Sequence, residues 1–350
     1  MLNKKENLST EEQMMIISDV EKNFGRFWNS DFDNSLFMQC RNNFALTKHI
    51  ESKQIVKQNL NSKVLFSIAI PVYQRVDELK RAIQSALDQD YDCEYEILVV
   101  ENPSDTCDNK IENMIKKEFF NINYYKNEEN LQVAGNWNRC LSLAKGEWVC
   151  ILHSDDIISK DYLSTLNKVI LDKNYKNAAV IGTSEVIGKE KIRHKVLYSI
   201  MGKYYYKKPY ECKDWYKQGG KDRLKIMPPN ARLHNKEICI KYGGYNQEEY
   251  PTLDMTFINR LRVNGAKICC YRNKALQKKI HDVSTEDMPH TLLQLCFMDP
   301  IIFFAFAKDK RRAKKNSLRH IRHMRKVFYE KKCNIIAEYL DVLVKKIKIF

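Results

Sequence analysis

Residues 64–72 read Val-Leu-Phe-Ser-Ile-Ala-Ile-Pro-Val, a short apolar run rich in branched side chains. Such a run is typical of a strand that is buried on both faces of a sheet. Residues 75–90 then place leucine, isoleucine and alanine at helical spacing, and a second apolar run, Glu-Ile-Leu-Val-Val, follows Tyr95. A strand, a helix and another strand form the unit from which parallel sheets are built. The sequence therefore predicts an α/β domain that begins near residue 63.

The same alternation continues toward the middle of the chain. We predict helices over 108–119 and 133–144 and strands over 122–125 and 147–152, which extends a mostly parallel sheet with flanking helices. Beyond Asp156 the pattern loosens, with helices predicted over 160–171 and 252–263 and strands near 178–187 and 266–271. The predicted organisation is a helical extension over 1–62, an α/β domain over 63–285 that divides at residue 158 (63–158 and 159–285), and a basic amphipathic helical region over 286–350.

Composition excludes several classes of protein. The 350 residues are 44% apolar and 29% charged, as in a soluble globular protein and unlike a disordered chain. The longest unbroken apolar stretch, 301–307, has seven residues, whereas a membrane span needs about 20, and the first residues do not resemble a signal peptide. Eleven cysteines without a C-x-x-C pair argue against a zinc site or a disulfide framework. We expect a cytoplasmic protein with reduced thiols.

Positive charge is concentrated at the end of the chain. Residues 301–350 hold 15 Lys and Arg against 4 Asp and Glu, so they contribute most of the net charge of +15. Apolar residues recur between these cations at helical spacing, which predicts a basic amphipathic helix. Its apolar stripe can lie in a membrane interface or pack on the rest of the protein. Since the segment has few aromatic residues and no nucleic-acid-binding module, we expect residues 308–350 to contact an anionic membrane and not nucleic acid.

Polar residues follow the predicted strands where the sheet ends. Pro71 and Tyr73 follow the first strand, Glu101 the second, and Asp155 and Asp156 the fourth. In parallel sheets, ligands bind beyond the carboxyl ends of the strands. Paired carboxylates suit a hard divalent cation, although an aspartate there can also cap a helix. Neither a phosphate-binding P-loop nor a G-x-G-x-x-G motif occurs in the chain.

Five short motifs occur in order over residues 70–156. They are Ile70-Pro-Val-Tyr-Gln-Arg75, Val99-Val-Glu-Asn102, Asn130-x-x-x-x-Gly135-Asn-Trp-Asn-Arg139, Ala144-Lys-Gly-Glu147 and Leu152-His-Ser-Asp-Asp156. The series resembles the family 2 glycosyltransferases, which are nucleotide-sugar enzymes of the GT-A fold, and the resemblance covers about residues 64–285. It implies a Rossmann-like, mostly parallel sheet with flanking helices, extended here by helical segments at both ends.

The resemblance also implies roles for residues at matching positions. Asp155 is the metal-binding carboxylate of the family's Asp-x-Asp motif, and His281 resembles a late histidine that contacts the metal or the diphosphate. The cofactor implied is Mn²⁺ or Mg²⁺. His153 replaces the first acid of that motif and is assigned to a ribose hydroxyl and not to the metal. The residues expected to bind the nucleotide sugar are Pro71, Tyr73, Arg75, Glu101, Asn102, Asn136, His153, Ser154, Asp155 and Asp156.

Asp254 is the candidate catalytic base, which takes the proton from the acceptor hydroxyl. Thr252 can cap the helix predicted there, and an aspartate in the first turn stays ionised because the helix dipole favours negative charge. An aspartate at this position is equally common as a purely stabilising residue. Residues 228–230, Pro-Pro-Asn, either shape the acceptor side of the site or form a simple turn. Gly243-Gly244 predicts a further turn.

The resemblance implies a metal-dependent inverting glycosyltransferase. Its donor is a nucleoside diphosphate sugar, UDP first and a thymidine diphosphate sugar as an open alternative, and its acceptor is a saccharide or a lipid-linked saccharide. The expected setting is surface polysaccharide synthesis (O-antigen, capsule or lipopolysaccharide) on the inner face of the cell membrane. The alternatives are a nucleotidyltransferase, a sugar-nucleotide binder without activity, and a non-catalytic nucleic-acid- or membrane-binding protein.

Overall fold

The structure is a computed structural model and describes residues 8–28, 33–104, 109–171, 175, 177–183, 210–211, 231–271, 277–279, 289–306 and 309–349. The chain forms two compact units. We call the first the helical unit; it comprises Met1–Gln39, Glu249–Asn259 and Val283–Phe350. The second, the sheet unit, comprises Cys40–Glu248 and Arg260–Asp282. The domain boundaries predicted at residues 62, 158 and 285 stay predictions.

The sheet unit is built on a mixed sheet. The strands are β1 (Ser52–Val56), β2 (Phe66–Val72), β3 (Glu96–Glu101), β4 (Asn123–Asn127), β5 (Trp148–Ile151), β6 (Asp156–Ile158), β7 (Ala178–Thr183), β8 (Tyr210–Glu211), β9 (Arg232–Asn235), β10 (Lys267–Tyr271) and β11 (Gln277–Lys279). Nine of them form one sheet in the order β1-β4-β3-β2-β5-β9-β7-β10-β8, and β6 pairs with β11 in a second, small sheet.

The half of the sheet formed by β2, β3, β4 and β5 is parallel, as predicted. Strand β2 pairs in parallel with β3 and with β5, and β3 pairs in parallel with β4. The side chains of β3 and β5 are buried throughout, and β2 is buried except at Pro71. These apolar strands are the ones that the sequence marks most clearly. Their carboxyl ends lie at one edge of the sheet.

Antiparallel strands complete the sheet, which is therefore less parallel than expected. Strand β9 runs antiparallel to β5 and β7, β8 to β10, and β1 to β4. Strand β1 lies within the segment predicted to be helical. Its polar residues show no strand pattern, and it is held by Arg139, which donates hydrogen bonds to the Ser52 hydroxyl (2.5 Å) and to the Thr47 and Ile50 carbonyls (2.7 and 2.8 Å).

Four helices of the sheet unit lie close to where the sequence predicts them: α2 (Val76–Leu87), α3 (Lys110–Glu118), α4 (Gln132–Leu143) and α5 (Tyr162–Leu171). The sheet unit also contains α6 (Lys236–Lys241), which the sequence did not predict. The predicted helix α7 (Leu253–Val263) begins in the helical unit and ends in the sheet unit, and α1 (Thr10–Phe24) belongs to the helical unit. Each of α2 to α5 buries apolar residues on one side. In α2, for example, Leu79, Ile83 and Ala86 are inaccessible to solvent, which accounts for the helical spacing seen in the sequence.

The helical unit packs α1 with three later helices, α8 (Pro289–Phe306), α9 (Lys310–Glu330) and α10 (Asn334–Ile349). Within the described residues α8 is long and apolar enough to cross a membrane by length and composition, with a mean hydropathy of 1.3. However, 72% of this helix is buried within the protein, and a buried core helix has the same composition. Polar residues such as Gln294 and Asp299 interrupt the apolar sequence of α8. For this reason the longest unbroken apolar stretch of the chain, 301–307, did not reveal the high mean hydropathy of the whole helix.

The apolar stripe predicted in the basic segment is buried in the helical unit. On α9, Ile321 and Phe328 are fully buried, and on α10 so are Ile336, Leu343 and Ile347. The stripe is therefore occupied by packing between helices, one of the two alternatives that the sequence left open. Exposed cations of α9 include Arg311, Lys315, Arg319, Arg322 and Lys326.

Gly146, in the turn before β5, packs directly on the backbone of β2. A Cβ atom at this position would lie 2.6 Å from both the Phe66 carbonyl carbon and the Ser67 nitrogen. The Gly146 amide donates a hydrogen bond to the Ser67 hydroxyl at 2.8 Å. The Ala-Lys-Gly-Glu motif therefore requires glycine at this position, because the two chain segments approach too closely to leave room for a side chain.

We predict that Gly146→Ala lowers the free energy of unfolding by about 1–3 kcal/mol, the cost typical of overpacking a core. Chemical denaturation of the purified variant measures it. Gly25→Ala is the control, because Gly25 has a φ of −58° and no neighbouring atom within 4 Å of its added Cβ. Equal stabilities of the two variants would contradict this account of the contact.

Candidate functional site

Loops after β2, β3 and β5 carry most of the predicted binding residues to one edge of the sheet. Val72, at the end of β2, pairs with Glu101, at the end of β3, and β5 lies on the other side of β2. Pro71 is the penultimate residue of β2, and the Tyr73 ring beyond it is exposed. The parallel register therefore brings together residues that are about 30 and 80 positions apart in the sequence.

A cluster of one histidine and two aspartates follows β5. Ligand atoms of His153, Asp155 and Asp156 all lie within 4.8 Å of one another. The turn is closed by the Asp156 amide, which donates to the His153 carbonyl at 3.0 Å, and Ser154 lies within it. Two carboxylates and an imidazole at this separation fit Mn²⁺ or Mg²⁺. His153, which sequence analysis assigned to a ribose, is thus also placed to bind a metal.

Arg75 pairs with the middle residue of this cluster. Its Nη1 atom lies 2.7 Å from Oδ2 of Asp155. Arg75 and the preceding Gln74 both have left-handed backbone conformations, with φ of 60° and 62°. Residues other than glycine adopt this region at a cost, and such residues concentrate at functional sites. The strained turn carries the guanidinium from the end of β2 to the turn after β5.

Glu101 is buried and already has partners inside the protein. The Tyr124 hydroxyl donates a hydrogen bond to its Oε2 atom, and the Lys126 ammonium lies 3.9 Å from Oε1. Burial and the Glu101 carboxylate raise the pKa of Tyr124, so the phenol stays protonated and keeps its donor role. Glu101 is therefore held in a fixed orientation by β4, which sequence analysis did not foresee.

Asn102 and Asn136 belong to a network of buried amides. Asn127 donates from Nδ2 to Oδ1 of Asn102 (2.9 Å) and of Asn136 (3.1 Å). Asn136 in turn donates to the Val100 carbonyl at 3.1 Å, and Asn102 to the Gln132 carbonyl at 3.1 Å. These side chains connect β3, β4 and the start of α4. Their observed contacts fix the loops around the site, and a direct contact with a nucleotide stays a proposal.

Aromatic residues that sequence analysis did not select support His153. The rings of Trp137 and His153 stack at 5.1 Å, and Tyr245 meets Trp137 edge-on at 4.9 Å. The Tyr245 hydroxyl lies 2.7 Å from Nε2 of His234. Burial lowers the pKa of His234 to about 3, so this imidazole is neutral and accepts from Tyr245 while Nδ1 donates to the Val149 carbonyl. The Gly-Asn-Trp-Asn-Arg motif was the available signal for Trp137.

Asp254 lies in the first turn of α7, as predicted. It belongs to the helical unit, whereas the histidine and aspartate cluster belongs to the sheet unit. The Thr252 hydroxyl donates to the Glu249 carbonyl at 2.9 Å and lies 3.4 Å from the Thr256 hydroxyl, and its capping of α7 stays a prediction. The catalytic role of Asp254 stays a prediction.

Two predicted elements are outside the described residues, namely His281 and the segment 228–230. The described chain reaches Lys279, which pairs with Asp156 across β6 and β11. Gly243 and Gly244 form the predicted turn, with φ of 84° and 70°. A Cβ atom on Gly243 would lie 1.8 Å from the Arg41 carbonyl oxygen, so both conformation and space require glycine there.

Two of the following three relatives of the chain carry glycosyltransferase names. It is 25% identical over 232 residues to an uncharacterised protein of Mycobacterium tuberculosis, covering 64% of this chain and 70% of that protein. It is 34% identical over 113 residues to an uncharacterised glycosyltransferase of Mycoplasma genitalium (31% and 38% of the two chains). It is 29% identical over 139 residues to the UDP-Glc:alpha-D-GlcNAc-diphosphoundecaprenol beta-1,3-glucosyltransferase WfgD of Escherichia coli (39% and 54%).

Residues 67–227 match the sequence profile of the family described as glycosyl transferase family 2. The matched segment contains β2 to β5, the loops that follow them and the whole histidine and aspartate cluster. It also contains all five motifs over residues 70–156. The chain thus contains a glycosyltransferase domain of family 2 over residues 67–227, a little less than half of its length.

Proposed function

We propose that this enzyme transfers a sugar from a UDP-sugar to a hydroxyl group of a saccharide acceptor, with inversion at the anomeric carbon. The observation that carries the proposal is the approach of His153, Asp155 and Asp156 to within 4.8 Å at the edge of a family 2 domain. The name of WfgD, which specifies a UDP-sugar donor and a diphosphoundecaprenol acceptor, supports this choice of substrates. A thymidine diphosphate sugar is the alternative donor.

The donor binds across the loops after β2, β3 and β5. Pro71 and the exposed Tyr73 ring contact the base, Glu101 contacts the ribose, and His153 contacts a ribose hydroxyl or the metal. Arg75 and Ser154 face the diphosphate and the sugar, and the buried Asp156 contributes through the turn that presents Asp155. Asn102 and Asn136 act through their buried amide network, which fixes the loop that receives the base.

Asp155 is the principal ligand for the divalent cation, Mn²⁺ or Mg²⁺. When bound, this ion supplies Lewis-acid stabilisation of the charge that develops on the leaving diphosphate, an effect of several kcal/mol. His281 is proposed as a further ligand, since it follows Lys279 by two residues and Lys279 pairs with Asp156. Asp156 is buried and holds the turn that presents Asp155.

Asp254 is the general base of the transfer. Its carboxylate takes the proton of the acceptor hydroxyl while the hydroxyl oxygen forms a bond to the anomeric carbon of the donor sugar. The bond from that carbon to the diphosphate oxygen breaks, and the electron pair leaves with the nucleoside diphosphate. Since the oxygen attacks opposite the leaving group, the anomeric configuration inverts. A base in this position contributes about 10²–10⁴-fold.

We further propose that the enzyme works in surface polysaccharide synthesis, bound peripherally to the cytoplasmic face of the membrane through residues 308–350. The relevant surface is a cationic stripe on α9, made of five exposed residues spaced by three or four positions: Arg311, Lys315, Arg319, Arg322 and Lys326. At 3.6 residues per turn these side chains fall within about 80° of the helix circumference and extend over about 22 Å.

The membrane contact of this stripe is electrostatic. The large apolar residues Ile321, Met324 and Phe328 of α9 are buried, and α9 packs against α8 and α10, so these side chains are not available for insertion. Each cation near an anionic surface contributes about 1 kcal/mol, and the five together about 5 kcal/mol before salt screening. Reversible adsorption of this strength suits an enzyme that meets a lipid-linked acceptor.

We expect Asp155→Asn to abolish Mn²⁺ binding and to lower turnover by about 10²–10³-fold, since the variant loses the carboxylate that holds the cation. Calorimetric titration with Mn²⁺ and assays with a panel of nucleotide sugars measure the two effects. Asp92→Asn is the control, because Asp92 is exposed and precedes β3, at the opposite end of the strand. Unchanged Mn²⁺ binding in Asp155→Asn would remove the basis of the proposal.

Asp254→Asn tests the base. The variant keeps the shape of the side chain but cannot take a proton, so turnover should fall by about 10²–10⁴-fold while donor affinity stays within about twofold of wild type. Single-turnover kinetics and UDP-sugar titration separate these quantities. Glu237→Gln removes a carboxylate from the first turn of α6 and controls for the helix dipole. Near-normal turnover of Asp254→Asn would assign the base to another residue.

Replacing all five residues of the cationic stripe by glutamine should lower binding to phosphatidylglycerol vesicles by more than about 100-fold, from about 1 kcal/mol per cation. Vesicle co-sedimentation at two salt concentrations measures it, and binding by wild type should weaken as salt rises. A control protein loses five exposed cations of the sheet unit: Lys53, Lys57, Lys63, Arg81 and Lys117. Equal binding of the two variants, or binding to neutral vesicles, would refute this surface.

A further inference from the structure

Asp155, the proposed metal ligand, is held by a cation of the protein itself. The Arg75 guanidinium contacts Oδ2 of Asp155 at 2.7 Å, and the two side chains are 50% and 21% exposed. The pair therefore lies at the mouth of the site, where an incoming ion or diphosphate reaches it. Ion pairs this exposed are weak and break easily.

The backbone directs Arg75 toward this position. Gln74 and Arg75 follow β2 with φ of 62° and 60°, and α2 begins at the next residue, Val76. Strand β2 is hydrogen-bonded to β5, which leads into Asp155. Both ends of the ion pair are thus anchored on adjacent buried strands, and the long arginine side chain is the part that can change its partner.

A guanidinium and a divalent cation compete for one carboxylate. Both are positively charged, so they repel each other when they share Asp155, and the carboxylate charge that attracts the metal is already partly neutralised by Arg75. A nucleoside diphosphate reverses this balance, because its oxygens are a better partner for a planar guanidinium than a single carboxylate oxygen.

We propose that Arg75 is a positioning residue that exchanges partners: it holds Asp155 in the free enzyme, releases it to the divalent cation, and then pairs with the diphosphate of the donor. The inference rests on the proposed function, because it takes Asp155 as the metal ligand and a nucleoside diphosphate as the leaving group. The exchange makes cation binding and donor binding support each other.

The variant Arg75→Gln gives effects of opposite sign in two binding experiments. In the absence of nucleotide, Mn²⁺ should bind about two- to fivefold more tightly than to wild type, which corresponds to the strength of an exposed ion pair. With saturating Mn²⁺, UDP should bind about tenfold more weakly, because a charge-assisted hydrogen bond is lost. Electron paramagnetic resonance of free Mn²⁺ and calorimetry with UDP measure the two affinities without turnover.

The control is Lys116→Gln, which removes one cation from an ion pair with Glu112 at 2.6 Å and with similar exposure. It should change neither affinity. The Arg75→Gln chain should fold normally, since glutamine already occupies the same backbone region at position 74. A thermal melt of each variant checks this.

Other results separate the two ideas. Mn²⁺ binding that is absent from wild type would overturn both the exchange and the metal assignment of Asp155. Mn²⁺ affinity equal in wild type and Arg75→Gln would overturn the exchange and leave the proposed function intact. Weaker Mn²⁺ binding by Arg75→Gln would also overturn it, because Arg75 would then orient the carboxylate for the metal.

Discussion

Parallel hydrogen bonding of β2 to β3 on one side and to β5 on the other determines where the site residues lie. Each of these strands is mostly apolar and buried, so burial holds them in register, and a slip by one residue would turn every side chain to the opposite face of the sheet. The polar residues that follow the strands are brought together as a consequence. Gly146 contributes to the same register because only a residue without a side chain allows the turn before β5 to touch β2.

Charge at the site is balanced differently at its two ends. Glu101 is buried, accepts from a Tyr124 phenol that cannot easily ionise, and lies near Lys126. Asp155 is partly exposed and has Arg75 as its ion-pair partner. Moving Glu101 would leave buried polar groups unsatisfied, whereas moving Arg75 exposes charges that water solvates well. Under the proposed function, the end near Glu101 is therefore suited to fixed recognition of the nucleoside, and the end near Asp155 to exchange of ions.

Sequence patterns predict this fold best where local chemistry and burial agree. The runs that became β2, β3 and β5 are mostly apolar, so their burial is visible in the sequence, and so is the helical spacing of α2. Strand β1 has polar residues and depends on Arg139, a partner 87 residues away from Ser52, so no local pattern marks it. The antiparallel pairing of β9 with β5 likewise depends on contacts between distant segments. Of the site, the acidic motif and its position were predictable from the family's motifs. The edge-on contact of Tyr245 with Trp137 joins residues more than 100 positions apart and was not predictable.

The side chains around the cluster differ in how freely they can respond to a ligand. Trp137, Tyr245 and His234 are linked by ring contacts and a 2.7 Å hydrogen bond, and the neutral state of His234 keeps that bond intact at physiological pH. They hold the His153 ring from the side of α4, while the amide network of Asn127 holds the loop after β3. Arg75, by contrast, has a strained backbone but an exposed side chain. A ligand that enters this site meets rigid aromatic and amide groups and one guanidinium that can follow negative charge. Under the proposed function, selectivity for the nucleoside depends on the fixed shape of these groups, and affinity for the diphosphate depends on the position of the Arg75 guanidinium.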